Sequence, residues 1–455
     1  MRQRYSFDII SNLRRSRFGA YLRSSVDYDG SRLILKFEMD EKDSSNEERL
    51  DYSMSDVEIY VDLGGDIEAS DIHPDLVALA TILLCNPFVG KELQLPLSIS
   101  KGFYEKSQTV ISRYRIVSDW SEEIEQIKIP EKGIPGLAFS GGADSSAALA
   151  VMPASTIPVF LNRPIEKESM YDSDAPLAIC EQLREVGYNV KVVDTNLEYI
   201  RDPVGFPTDL ANAIPAILLS QHLGLDSIAF GTIMESGYGI GHEHYIEYGE
   251  GAHWRFFGTL FDAVGLELSL PVLGVSEVGT AIIGNISPMG YYSQSCIRGT
   301  WQNPCMRCWK CFRKELLAYS LGHREDSNLV SMLSSGEVQV RLSAFPISHE
   351  NVIVYALQRI DLDKHPYLKP IADKLDMSIE LNLLGSWFPP SIEFTPMAHR
   401  HSIREKILSY LPAMKPSQES ILLNWNMEPH LCSMKAKRGQ EKLTSFWQDL
   451  TTRFG

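Results

Sequence analysis

Three hydrophobic patterns succeed one another along the chain. Residues 1 to about 130 carry short stretches, RLILKFEMD, DVEIYVDL and TVISRYRIV, in which apolar and polar positions alternate. That period of two predicts strands with turns between them. The run HPDLVALATILLCNPF is apolar over a helical length and predicts a helix. The first part therefore reads as a small mixed α+β domain over 1–130. DWSEEIEQIKIPEKGIPG, charged and ending in Pro and Gly, reads as the link out of it.

From residue 134 to about 325 the pattern changes. GLAFS, TIPVFLN, YNVKVVDT and DSIAFGT are strand-length and mostly apolar, and SSAALAVM, DAPLAICEQLREVG and LANAIPAILLSQHLGL between them are helix-like. Strand–helix repetition with apolar strands predicts an α/β core with a mostly parallel sheet covered on both faces. The tail, 326–455, mixes short helical pieces such as SIREKILSYLP and EKLTSFWQDLTTRF with loops, predicting a mostly helical extension.

Charge and cysteine usage narrow the picture. The formal net charge is -16. A phosphate backbone or an anionic membrane would meet net repulsion, so non-specific binding to either is not expected. The basic start has no long apolar core and the chain has no membrane-length apolar run, so the cytoplasm is the expected location. Of seven cysteines, Cys296, Cys305, Cys308 and Cys311 crowd into sixteen residues. Clustering of this kind points to a metal rather than to a disulfide framework.

Two motifs carry candidate chemistry. In LAFSGGADSSAALA, the residues Ser140, Gly141, Gly142, Asp144, Ser145 and Ser146 lie between a strand and a helix. Adjacent glycines let backbone amides approach an anion, and the helix start adds its dipole. Asp144 repels a bare phosphate but suits a magnesium ion set between it and the phosphates. The alternative is a Gly-Gly turn capped by Asp and Ser. In SCIRGTWQNPCMRCWKCFRK the cysteines are spaced C-x8-C-x2-C-x2-C. Four thiolates suit tetrahedral zinc with no open position, hence a structural site. An iron–sulfur cluster takes the same ligands, and free buried thiols are the third reading.

SGGADSS resembles the pyrophosphate-binding (PP-loop) signature of the N-type ATP pyrophosphatases, which adenylate a carbonyl or carboxylate oxygen, release pyrophosphate and let a nucleophile displace AMP. Followed by the cysteine spacing, it resembles the 7-cyano-7-deazaguanine (preQ0) synthases, the QueC family, over roughly residues 134 to 315. The resemblance implies ATP, Mg2+ and Zn2+ as cofactors. It implies catalytic roles for Ser140, Asp144 and Arg163. It implies nucleotide contacts from Ser140, Gly141, Gly142, Asp144, Ser145, Ser146, Asn212, Gly231 and Thr232, and zinc ligation by the four cysteines. It also implies a carboxylate-bearing acceptor, either a deazaguanine-like small molecule or a partner protein, in a deazaguanine-related or protein-modifying pathway such as antiviral defence.

The chain departs from that family. Ser276-Glu277 replaces a Ser-Lys pair, Ala211 precedes Asn212 where the family has arginine, and residues 231–265 are expanded. About 130 residues precede the motif region, which implies recognition of a larger acceptor or a partner protein, with a homodimer as the alternative. A tRNA-modifying thiolase and a non-catalytic nucleotide-binding scaffold are the competing functions. In the expanded stretch, His242, His244 and His253 read first as solvent-facing groups of a glycine-rich lid. Arg163, Lys167, Arg255, Arg298, Arg307, Lys310, Arg313 and Lys314 are candidate cations for the leaving pyrophosphate.

Overall fold

The structure is a computed structural model that describes residues 21–39, 52–55, 58–110, 114–165, 170–242, 244–324 and 327–427, with 429 and 443. Lys167, Glu243, Cys432 and nearly all of the predicted helix EKLTSFWQDLTTRF lie outside the described residues.

One ten-stranded sheet organises the chain. Its strands are β1 (Tyr21–Asp29), β2 (Arg32–Met39), β3 (Ile59–Asp62), β4 (Glu92–Gln94), β5 (Arg115–Val117), β6 (Ile134–Phe139), β7 (Ile157–Asn162), β8 (Lys191–Thr195), β9 (Leu225–Ala229) and β10 (Glu267–Ser269). They lie in the order β10-β9-β6-β7-β8-β3-β2-β1-β4-β5. Strands β10 through β8 in that order are parallel. The β8–β3, β3–β2 and β2–β1 pairs are antiparallel, and β1–β4–β5 are again parallel. The architecture is thus mixed α/β with a large, mostly parallel central sheet. The hydrogen-bonded sheet passes without a break through the boundary drawn near residue 130, because β3 pairs with β8 through Asp62–Asp194 and Val61–Thr195.

The main helices are α1 (Pro74–Cys85), α2 (Ala143–Val151), α3 (Asp174–Glu185), α4 (Ile214–Leu223), α5 (Ala252–Ala263), α6 (Glu277–Ile286) and α7 (Trp309–Ser320). The period of two along the parallel strands divides the core between two faces. Leu137, Phe139 and Phe160 pack with α2 and α3. Ala138, Val159 and Leu161 join a second cluster with α1 and α4. Burial on both faces explains why these strands are nearly continuous in apolar residues.

The tail turns back onto this core. Helix Glu350–Leu357 packs on α7 and helix Met397–Tyr410 on α2, where Lys406 Nζ donates to the Met152 carbonyl. Among the described residues, no helix is long and apolar enough to cross a membrane.

His242 and His244 are exposed, as expected, but much of the expanded stretch 231–265 is packed rather than a free lid. Tyr238, Tyr248 and Phe257 are buried, and Tyr248 and Trp254 meet Phe394 edge-on. His253 is part of this packing. Its Nδ1 lies 3.0 Å from the Tyr248 hydroxyl, and burial pushes its pKa down. The Trp425 indole donates to the His242 carbonyl at 2.9 Å, and His244 forms a bridge with Asn426. The glycines here allow close packing: a Cβ on Gly237 would stand 2.2 Å from Leu273 Cδ1.

Candidate functional site: a glycine loop braced by a cysteine centre

The loop after β6 lies at the carboxyl edge of the parallel strands, where open α/β sheets bind ligands. Gly141 has φ +71°, so the chain turns here through a conformation that favours glycine. α2 then starts at Gly142 without a side-chain cap of its own. Ser140 and Ser145 hydroxyls lie 3.1 Å apart, and Ser145 Oγ donates to the Gly142 carbonyl at 3.1 Å. Asp144 Oδ1 accepts from Thr280 Oγ1 of α6 at 3.0 Å. Gly231, just after β9, abuts this helix start. A Cβ there would stand 2.8 Å from Ser145 N and 2.9 Å from Asp144 C.

The fold therefore brings Ser140, Gly141, Gly142, Asp144, Ser145 and Gly231 together, with half-buried Thr232 following Gly231. Ser146 faces away from the strand edge, donating to the Tyr292 carbonyl at 3.1 Å. Asn212 sits in a short turn, Ala211–Ala213, that touches β6 and β7. Arg163 follows β7 at the same edge. It forms an ion pair with Glu198 at 2.6 Å and lies over the Tyr171 ring at 4.3 Å. Asn162 Oδ1, Arg163 Nε and Asn212 Oδ1 are buried without a hydrogen-bond partner. Buried polar atoms are normally paired. Such orphans along a strand edge fit residues that meet a polar ligand.

The cysteine centre stands beside this loop. The sulfurs of Cys296, Cys305, Cys308 and Cys311 all lie within 4.8 Å of one another. Zinc–thiolate bonds of about 2.3 Å set tetrahedral sulfurs about 3.8 Å apart. The Cys305–Cys311 separation is 3.9 Å. The residues thus fit a metal such as zinc with four sulfur ligands. Cys308 also caps α7, its Sγ accepting from Cys311 N at 3.5 Å.

Sequence reasoning missed how the two motifs are joined. Three residues just ahead of Cys296 grip the glycine loop. Ser146 donates to the Tyr292 carbonyl, Gln294 N donates to the Gly141 carbonyl at 2.8 Å, and Ala143 N donates to Ser295 Oγ at 3.2 Å. The Gln294 amide then donates to carbonyls inside the cysteine loop, Cys296 at 3.4 Å, Gly299 at 3.3 Å and Thr300 at 3.0 Å. No local pattern marks these residues. Their position immediately before the first cysteine is the only sequence signal.

A buried charge cluster makes the second link. Ser276 caps α6, and Glu277, on the first turn, is nearly inaccessible. Glu277 Oε1 meets Arg313 Nε at 2.8 Å and Lys314 Nζ at 3.0 Å, both from α7. Burial alone would raise the Glu277 carboxyl, but the charges of Lys314 and Arg313 outweigh it and hold the pKa at about 2. Burial would strip Lys314 of its proton, yet Glu277 and then Asp144 raise its pKa above the usual range. Glu277 thus anchors two cations, and the charge of Asp144 also acts on one of them, Lys314. Among the other candidate cations, Arg255 pairs with Glu250 and Arg298 with Glu337. Glu235 accepts from Glu277 N at 3.0 and 3.1 Å and from Asn351 Nδ2 at 3.0 Å. Burial, and then the charge of Glu277, push Glu235 up to about 8.

Comparison with known proteins adds one similarity: no curated protein and no solved structure matches the chain, and a model described as a family of unknown function (DUF6395) matches residues 256–426, from inside α5 to the end of the described tail.

Proposed function

We propose that the chain is an ATP-dependent adenylating ligase of the PP-loop type, similar to the QueC family, acting on a carboxylate or amide acceptor with a nitrogen nucleophile. The observation that carries this reading is the loop itself. Gly141 and Gly142 open the start of α2 at the carboxyl edge of the sheet, Gly231 leaves room beside it, and Asp144 is held by Thr280 of α6.

When bound, ATP supplies the adenylyl group and a magnesium ion neutralises phosphate charge. The chain's own residues then have distinct tasks. Backbone amides at the start of α2 and the hydroxyls of Ser140 and Ser145 orient the phosphates. The Asp144 carboxylate, one oxygen of which accepts from Thr280, would hold the magnesium. Lys314, held against Glu277, would supply positive charge to offset the negative charge that grows on a leaving pyrophosphate. Arg163, tied to Glu198 and stacked on Tyr171, serves to shape the acceptor side of the edge. The gathered thiols support a closed structural centre over a sulfur-carrying thiolase, whose cysteine must be free to react. A deazaguanine-related or protein-modifying pathway, such as antiviral defence, is the setting the family resemblance suggests.

Incubation with ATP, magnesium, ammonia and a panel of deazaguanine carboxylates and candidate protein acceptors tests this, read as pyrophosphate release and intact mass. Asp144→Ala is expected to abolish release while leaving the circular dichroism and melting temperature nearly unchanged. Equal release from that variant would remove the loop from the mechanism. No turnover with any acceptor would remove the ligase reading.

A further inference from the structure

Helices α6 and α7 and the residues that follow α7 bound a cavity of about 500 Å³. That is within the usual range for small-ligand pockets, roughly 300–1,000 Å³. Small residues, Ala281 and Gly284 of α6 and Ala318 of α7, keep the two helices from filling it. A Cβ on Gly284 would meet nothing nearer than Gly290 Cα at 3.9 Å, so the space is not demanded by local packing.

The polar lining has one sign. Among the described lining residues the charged ones are Lys314, His323 and Arg324, with no carboxylate, although the chain as a whole carries a net charge of -16. Lys314 has its ammonium held against Glu277. His323 and Arg324 are exposed and have no ion-pair partner among the described residues. Asn285 adds an amide at the rim. An inorganic ion would give up hydration to the alanines and Leu321, whereas a molecule with an apolar body would cover them.

We propose that this cavity is a binding site for a small organic anion, with its apolar body between α6 and α7 and its charged head on His323 and Arg324. The site is separate from the glycine loop but shares Lys314 with the charge cluster beside Asp144. In an adenylating enzyme it is the place for the anionic end of an acceptor. The inference itself does not depend on that activity.

The test is calorimetric titration of the full chain, without ATP or magnesium, using indole-3-carboxylate, phenyl phosphate and inorganic phosphate as probes. At least one of the two organic anions is expected to bind, and inorganic phosphate at least tenfold more weakly. Arg324→Gln with His323→Gln, both exposed and harmless to the core, is expected to weaken binding at least tenfold. Gly284→Leu, which narrows the cavity, is expected to do the same. If narrowing the cavity disturbs α6, the surface pair alone decides. The proposal is overturned if no organic probe binds, if inorganic phosphate binds as tightly, or if the surface pair leaves affinity unchanged. In that last case the two cations serve only to offset the dipole at the end of α7. Because the readout is binding without nucleotide, failure here and failure of the ligase reading remain distinguishable.

Discussion

Helices α2 and α7 begin at neighbouring motifs, and they begin differently. α2 starts at Gly142 with no cap of its own, and the hydroxyl that meets Ala143 N comes from distant Ser295. α7 starts at Cys308, whose sulfur closes on Cys311 N while the other thiols gather round it. One helix start is open, built from glycine and hydroxyls, and leaves its dipole directed at the strand edge. The other is closed, with its donor satisfied and its sulfurs turned to one point. The closed start holds the open one. Tyr292, Gln294 and Ser295 reach the loop directly, and Arg313 and Lys314 reach it through Glu277 of α6.

The largest effect is expected from breaking the closed start. Cys308→Ser should lower bound metal from about one atom per chain to none, because structural zinc contributes folding free energy. The melting temperature should fall by roughly 10 °C or more. If the two starts are coupled, hydrogen exchange at residues 140–146 rises with it. Exchange that stays at the wild-type level would show the motifs to be independent.

Glu277→Gln attacks the second link. Leaving Arg313 and Lys314 buried without their anion should cost about 3–5 kcal/mol in urea unfolding. The pH dependence has a definite sign. The folded carboxyl titrates at about 2 against an ordinary 4.5, so its stabilisation is present above 4.5 and lost as pH falls towards 2. The variant should lack that acid-side loss.

Gly231→Ala acts on the open side. Its new methyl would press on Ser145 N and Asp144 C. An overpacking cost of about 1–3 kcal/mol is expected. ATP affinity should drop at least tenfold in a filter-binding assay while metal content stays at wild type. Unchanged affinity would mean that the loop's backbone does not meet the nucleotide.

At neutral pH the mildest change is Glu235→Gln. With its folded pKa raised to about 8 from 4.5, Glu235 contributes stability that is full below 4.5 and is lost as pH rises through 8. Melting temperatures of the wild type should therefore decline across that window, and those of the variant should decline less. Parallel curves would assign the decline to other groups.

Several elements were legible before any coordinates. RLILKFEMD and DVEIYVDL contain β2 and β3, HPDLVALATILLCNPF contains α1, and GLAFS and TIPVFLN mark β6 and β7. The four-cysteine group was legible because its spacing is too short to be anything but local. The packed state of residues 231–265 was not. Glycine-rich sequence reads as mobile chain, and only Leu273, Phe394 and Trp425, far away in sequence, show what fills the space beside those glycines.

What the sequence determined by itself is local chemistry and periodicity: which stretches suit strands, where two glycines and an aspartate meet a helix, and which thiols could hold a metal together. Backbone preferences and side-chain spacing act over a few residues and need no partner. What only the tertiary structure decided is which of these features touch. The strands before residue 130 join the central sheet through Asp62 and Asp194, Gln294 ties the glycine loop to the cysteines, and Glu277 becomes the anchor for Arg313 and Lys314. Those contacts depend on how a buried charge or carbonyl finds its partner across the fold, and that pairing leaves no periodic trace in the chain.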